Sequence, residues 1–160
     1  MKALTVQQPW AWAIVHGGKD VENRTQAWTY RGALAIHAGA RLSERGLRAV
    51  PDIAAAEQLV DPDMIRAEMR DQLVTGTIIG VVDLVDVHYS AGSSPDAIDC
   101  CDSWWAEASY DEHGGRTRRD VVHLVLEHPR PVPEPIACKG RLGLWTPPVE
   151  VLEQLQAVTR

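Results

Sequence analysis

A lysine, a glutamate and an arginine follow a double glycine in the run Gly17-Gly18-Lys19-Asp20-Val21-Glu22-Asn23-Arg24. Two glycines at a helix end leave room for a ligand to approach the backbone closely. A lysine placed there can neutralise a phosphate or, once desolvated, act as a base or nucleophile. Glu22 and Arg24 are two apart and share one face of an extended segment. The Arg24 fork suits a phosphate or a carboxylate, and Glu22 can orient Lys19 or accept from a base amino group. If the chemistry is catalytic, Lys19 and Glu22 are its residues, with Glu22 as general acid/base and Lys19 and Arg24 stabilising developing charge. The same three side chains could equally form a structural ion-pair cluster that closes a barrel.

Other candidates surround this run. Trp10 reads as core by its position, and it becomes a stacking platform for a base if its ring reaches Lys19. Trp12 points elsewhere on the same helix and is the more exposed of the two by pattern. His37 lies opposite the apolar face of its strand, where it can line a cleft or satisfy a local hydrogen bond. Arg31, Lys139 and Arg141 can add phosphate contacts, the last two bracketing Gly140. Arg116, Arg118 and Arg119 read as a solvated hairpin tip, and Asp83 and Asp86 as staples of the strands that carry them. Cys100, Cys101 and Cys138 are odd in number and form no disulfide framework. A zinc site combining them with His88, His113, His123 or His128 has no CxxC or HxxxH spacing behind it, so free thiols are the expectation and no cofactor is expected.

The elements that must hold these residues follow from pattern. Residues 3–7 alternate as a strand, and Pro9 opens a short helix that Gly17-Gly18 ends. Val21 to Arg24 extends, and Ala33 to Ala38 is a strand with Leu34, Ile36 and Ala38 on one face. Asp52 is expected to cap a helix over 53–60, and Asp61-Pro62 to start another reaching about Leu73. Thr77 to Val87 is the longest strand candidate, Ser90 to Pro95 a polar loop, and Val121 to Glu127 a further strand. Pro129 to Pro135 is expected to be loop. Cys138 to Trp145 is extended, and Val149 to Ala157 is the last helix. No linker or repeat divides residues 1–160, so one domain is expected.

Composition bounds the function. The chain has 160 residues, 45% of them hydrophobic and 24% charged, which are globular proportions. No apolar run suits a bilayer and no signal segment opens the chain, which points to a cytoplasmic protein without membrane contact. The net charge of −6 is unevenly placed: seven Lys/Arg oppose three acids in residues 1–50, two oppose fourteen in 51–112, and seven oppose five in 113–160. Two basic ends around an acidic middle can fold into a localised positive face. Nothing in the sequence specifies an oligomeric state.

The Gly17–Arg24 run matches a GxKxxExR pattern, and four further blocks stand in order around it. They are Gln8-Pro9-Trp10-Ala11, Arg31-Gly32 with Ile36-His37-Ala38, Gly80 to Asp86, and Ile136 to Trp145. Together these blocks resemble the ASCH domain of activating signal cointegrator proteins. The resemblance implies an α+β fold, a PUA-like mixed β-barrel with peripheral α-helices, and a cleft at the barrel mouth. It implies RNA, DNA or a nucleotide-derived small molecule as partner. The leading expectation is therefore a basic cleft holding single-stranded or distorted nucleic acid through Trp10, Lys19, Glu22, Arg24, Arg31, His37, Lys139 and Arg141. The alternative is a small hydrolase of RNA phosphodiesters or N-acylated nucleosides. Some similar proteins carry threonine where Glu22 stands and use lysine, threonine and a later glutamate for amide hydrolysis. This chain lacks that threonine, and no later acid between Asp83 and Glu107 stands out.

Overall fold

Leu4 and Val6, Leu34, Ile36 and Ala38, Val82 and Leu84, and Val122, Leu124 and Leu126 recur at every second position of four segments. In the computed structural model they meet in one buried interior. That period is what a curled sheet needs, because successive side chains of a strand point to opposite faces. Residues 1–91, 101–107 and 121–158 are described here. They form β1 (Lys2–Gln8), α1 (Trp10–Val15), β2 (Val21–Arg24), β3 (Gly32–Leu42), α2 (Glu44–Gln58), α3 (Pro62–Arg70), β4 (Thr77–Tyr89), β5 (Val122–Ala137), β6 (Leu144–Trp145) and α4 (Val149–Val158). The strands make one mixed sheet in the order β2-β5-β4-β3-β1-β6. Only β1 and β3 run parallel; the other neighbours are antiparallel. The sheet curls into a half-barrel with four helices around it, the α+β, PUA-like architecture expected.

Helix α1 is a wedge between two apolar layers. Ala11, Ile14 and Val15 enter the barrel interior, while Trp12 and Ala13 face a second cluster with Val50, Ala54, Ile65, Met69 and Trp105. Gly80 permits this close approach, since a Cβ there would lie 2.7 Å from Val15 Cγ1. The buried Gln8 side chain fixes the helix start: its Oε1 accepts from Trp12 N at 2.9 Å and its Nε2 donates to Val74 O at 2.9 Å. On the outer face, Val151 and Leu155 of α4 cover Ala3, Ala35, Ile78, Val81 and Trp145. No helix among the described residues is long and apolar enough to cross a membrane.

Two expectations fail, both at proline. Helix α2 begins at Glu44 rather than after Asp52, with Pro51 inside it and Ser43 as its cap, the Ser43 Oγ accepting from Gly46 N at 3.0 Å. Pro51 costs one backbone bond, and burying Val50, Pro51, Ala54 and Ala55 outweighs it. The stretch Pro129 to Pro135 is strand, not loop, and belongs to the sixteen-residue β5. Cys138 N donates to Gly76 O on the β4 side at 3.2 Å. Ile78 pairs with Ile136 but Gly80 pairs with Pro131, so the register slips across residues 132–135 and part of the proline run falls where the ladder with β4 is interrupted. A bulge at His128, with φ of 50°, resets the phase after the β2 pairing. Smaller differences lie at β3, which runs on to Leu42, and at β6, which is confined to Leu144 and Trp145. Cys100, His113 and the expected turn with Arg116, Arg118 and Arg119 lie outside the described residues, as does most of the expected 90–95 loop.

Candidate functional site

The sharp turn at Gly18 (φ of 81°) passes the chain from α1 into β2, and Lys19 N donates to Ala13 O at 2.9 Å. This delivers the Lys19 side chain inward, where the residue is only 4% exposed. Its ammonium donates to Val21 O and lies 3.5 Å from Glu22 Oε2. Two indoles roof it, the Trp10 ring centroid at 5.6 Å and that of Trp105 at 5.5 Å, within cation–π range. Both rings are held: Trp10 Nε1 donates to Ser43 Oγ at 3.1 Å and Trp105 Nε1 to Glu57 Oε2 at 2.8 Å. Burial pushes the Lys19 ammonium below the usual lysine range, against the attraction of Glu22, Glu107 and Asp20.

Glu22 faces a second cation. Arg24 Nε sits 3.0 Å from Glu22 Oε1, and its guanidinium donates to Thr5 O at 3.0 Å. Since β2 and β1 are far apart in strand order, that bond ties the two sides of the curled sheet. The signature residues therefore close the barrel and line its mouth at once.

That mouth is a cleft of about 1200 Å³ between the ends of β1, β2 and β3, the start of α2, the 101–107 segment and the loop after β5. Six cationic side chains line it, Lys19, Arg24, Arg41, Arg45, Lys139 and Arg141, against the carboxylates Glu22 and Glu107. Arg45 pairs with Glu107 at 2.9 Å and lies 5.8 Å from the Trp10 ring. Among the described residues, Arg41, Lys139 and Arg141 enter no ion pair and are exposed. His37 lies in the wall, with Nε2 donating to Cys138 O at 3.0 Å and its ring edge-on to Trp145 at 5.8 Å. Its Nδ1 is buried without a hydrogen-bond partner.

Seven of the eight residues expected from sequence converge here: Trp10, Lys19, Glu22, Arg24, His37, Lys139 and Arg141. Arg31 does not. Its guanidinium donates to Trp28 O, Tyr30 O and Val87 O at 3.0, 2.9 and 3.2 Å and lies 3.5 Å from Asp86, so it braces a turn outside the cleft. The tryptophans exchange roles: Trp12 is buried at 1% exposure and Trp10 lines the cleft. Asp83 is the expected staple, paired to Arg130 across β4 and β5 at 2.6 Å.

Two of the missed residues, Trp104 and Glu107, share one segment. Asn23 clamps it, donating to Trp105 O at 2.8 Å and accepting from Glu107 N at 3.1 Å, and Ser103 Oγ donates to Asp20. This sets Trp104, 68% exposed, at the cleft edge and Glu107 inside it. The adjacent tryptophans were the legible signal: one ring of the pair is buried and the other is exposed. Arg41 and Arg45 were hidden by the misplaced start of α2.

Comparison with known proteins agrees with this fold. Over 98% of its length the chain superposes on the crystal structure of ASCH from Zymomonas mobilis, at a TM-score of 0.55 and 15% identity, covering 94% of that chain. A tyrosine-to-phenylalanine variant of the same protein gives 0.59 at 14% identity, with 98% and 96% covered. A serine-to-alanine variant gives 0.57 at 15%, with 98% and 94% covered. At such identities the likeness shows the fold. No curated protein matches the chain. The sequence profile of the ASCH domain, however, matches residues 4–122, which include Lys19, Glu22, Arg24, Trp104 and Glu107. The chain is a member of the ASCH domain family.

Proposed function

We propose that the cleft holds single-stranded or distorted RNA or DNA, with Arg41, Lys139 and Arg141 on phosphates and Trp104 stacking on a base. The observation that carries this reading is the concentration of six cations against two carboxylates in one cleft of a chain whose net charge is −6. Both carboxylates are already engaged by Lys19, Arg24 and Arg45, which leaves the rim cations for a ligand. Localised charge of this kind favours one strand in one groove over indiscriminate coating of duplex.

Titration of the full chain into labelled short RNA, single-stranded DNA and duplex, at several salt concentrations, tests the reading. Affinity should be saturable and fall with salt. Lys139→Ala with Arg141→Ala should weaken it about tenfold and flatten the salt slope by about 1.4, at about 0.7 per phosphate on a single strand. Trp104→Ala should weaken it by about 1–3 kcal/mol. Affinity unchanged in both variants would move the ligand out of this cleft.

One observation favours a second reading, hydrolysis of RNA phosphodiesters or of an N-acylated nucleoside. Lys19, its ammonium destabilised by burial, faces Glu22 at 3.5 Å, a pairing suited to proton transfer. Glu107, also in the cleft, supplies the later carboxylate that sequence alone did not single out. Metal-independent RNA cleavage that disappears in Glu22→Gln, assayed well below its melting temperature, would establish it. Intact RNA after prolonged incubation with the wild-type chain would leave only the nucleoside substrate.

A further inference from the structure

Beside the 101–107 segment, among residues that do not line the cleft, three donor side chains from three parts of the chain converge. The antiparallel register of β4 and β5 sets His88 opposite His123, their ring centroids 5.4 Å apart. Cys101 enters between them: its Sγ is 3.1 Å from His88 Nε2 and 3.3 Å from His123 Nδ1. All three donor atoms lie within 4.8 Å of one another. Zinc bonds of about 2.0–2.1 Å to nitrogen and about 2.3 Å to sulfur imply tetrahedral sulfur–nitrogen edges of about 3.5–3.6 Å, so the two sulfur contacts need to open by only a few tenths of an ångström to admit the ion.

The outward nitrogens decide what the inward ones can do. His88 Nδ1 lies 2.6 Å from Asp86 Oδ2, and His123 Nε2 lies 2.8 Å from Glu107 O. A carboxylate and a carbonyl only accept, so both rings donate outward, and in their neutral forms both present a lone pair to the same sulfur. A thiol has one proton to share between those two contacts. A cation in place of that proton, with sulfur as thiolate, satisfies all three donors. Hydrogen bonds from the outer ring nitrogens to carboxylate and backbone carbonyl are also the support that metal-bound histidines characteristically have.

We propose that His88, Cys101 and His123 form a binding site for a divalent ion of the zinc class, with Asp86 and Glu107 O orienting the two imidazoles. Two nitrogens and a thiolate select zinc over magnesium or calcium, which take oxygen. These three donors, counted among the described residues, are one short of the four of a tetrahedral ion, the fourth position being taken by water or another ligand. The sequence spacings of 13 and 22 match no zinc motif because strand pairing, not chain proximity, assembles the set. The ion would anchor the segment that carries Trp104, Trp105 and Glu107, and so would brace one wall of the cleft.

The test is a Co²⁺ titration of the full chain, purified under reducing conditions and stripped with chelator. The expected result is saturation at one equivalent, with intense tetrahedral ligand-field bands and a thiolate-to-cobalt charge-transfer band, both displaced by Zn²⁺. Cys101→Ser should abolish the charge-transfer band. Asp86→Asn, which leaves all three donors in place, should weaken affinity about 10–100-fold. No band in the wild-type chain, or a band that survives Cys101→Ser, overturns the assignment. Rapid alkylation of Cys101 at neutral pH without metal uptake also overturns it, identifying a thiolate–imidazolium pair instead.

Discussion

Glu22→Gln will destabilise the fold by about 3 kcal/mol at neutral pH, although the substitution is nearly isosteric. Glu22 is the carboxylate nearest to Lys19, whose side chain is 3% exposed, and it also faces Arg24 at 3.0 Å. Removing its charge strands a buried ammonium between two indoles, with only the more remote Glu107 and Asp20 to offset it. Breaking one member of a buried pair costs more than replacing both, so Lys19→Met should recover most of the loss when added to Glu22→Gln. Urea unfolding of the two singles and the double measures the coupling. Additive losses would show that the pair contributes nothing as a pair.

The pH dependence of that variant has a definite sign. Burial already holds the folded-state Lys19 below its unfolded value, and loss of Glu22 removes the largest influence raising it. The unfolded chain then binds more protons than the folded one between the two values, so stability rises with pH across that window. The Glu22→Gln deficit should therefore shrink as pH climbs from neutral toward the usual lysine range. A deficit independent of pH would mean that Lys19 is not the stranded charge.

Gly140→Val should be the next most damaging change, at about 1–3 kcal/mol with a loss of cleft affinity of tenfold or more. A Cβ at 140 would fall 2.5 Å from His37 Cε1, 2.7 Å from His37 Nδ1 and 2.9 Å from Thr5 Oγ1. The imidazole has nowhere to go, being tied to Cys138 O and set edge-on against Trp145. The loop must move instead, taking Lys139 and Arg141 from the rim. Thermal unfolding with oligonucleotide titration reads both effects. Wild-type stability and affinity together would show that the loop does not rest on His37.

Local signals carried much of this to the reader of the sequence. Gly17 to Arg24 was legible because a helix stop, a charged triplet and a short strand are adjacent in the chain. Thr77 to Val87 and Asp61-Pro62 were legible for similar reasons. Pro51 and the Pro129–Pro135 run misled, because only the tertiary arrangement decides whether burial outweighs a lost backbone bond or where a ladder can be interrupted. Arg31 misled by charge alone: three carbonyls and Asp86 occupy it. Trp104, Glu107 and the His88–Cys101–His123 cluster depend on strand register and on how one segment folds back over β2 and β5. No spacing within the chain records that.

The prolines of β5 have a consequence for the molecule among its neighbours. Beyond Leu126 the outer side of this long strand has no partner strand among the described residues. A flat, unpaired edge of that length would template a strand from another copy and seed aggregates. Prolines at 129, 131, 133 and 135 remove four N–H donors from seven consecutive residues, so an incoming strand finds an interrupted ladder. The repeat that makes the segment look like a loop is what lets a sixteen-residue strand stay a strand and still refuse company.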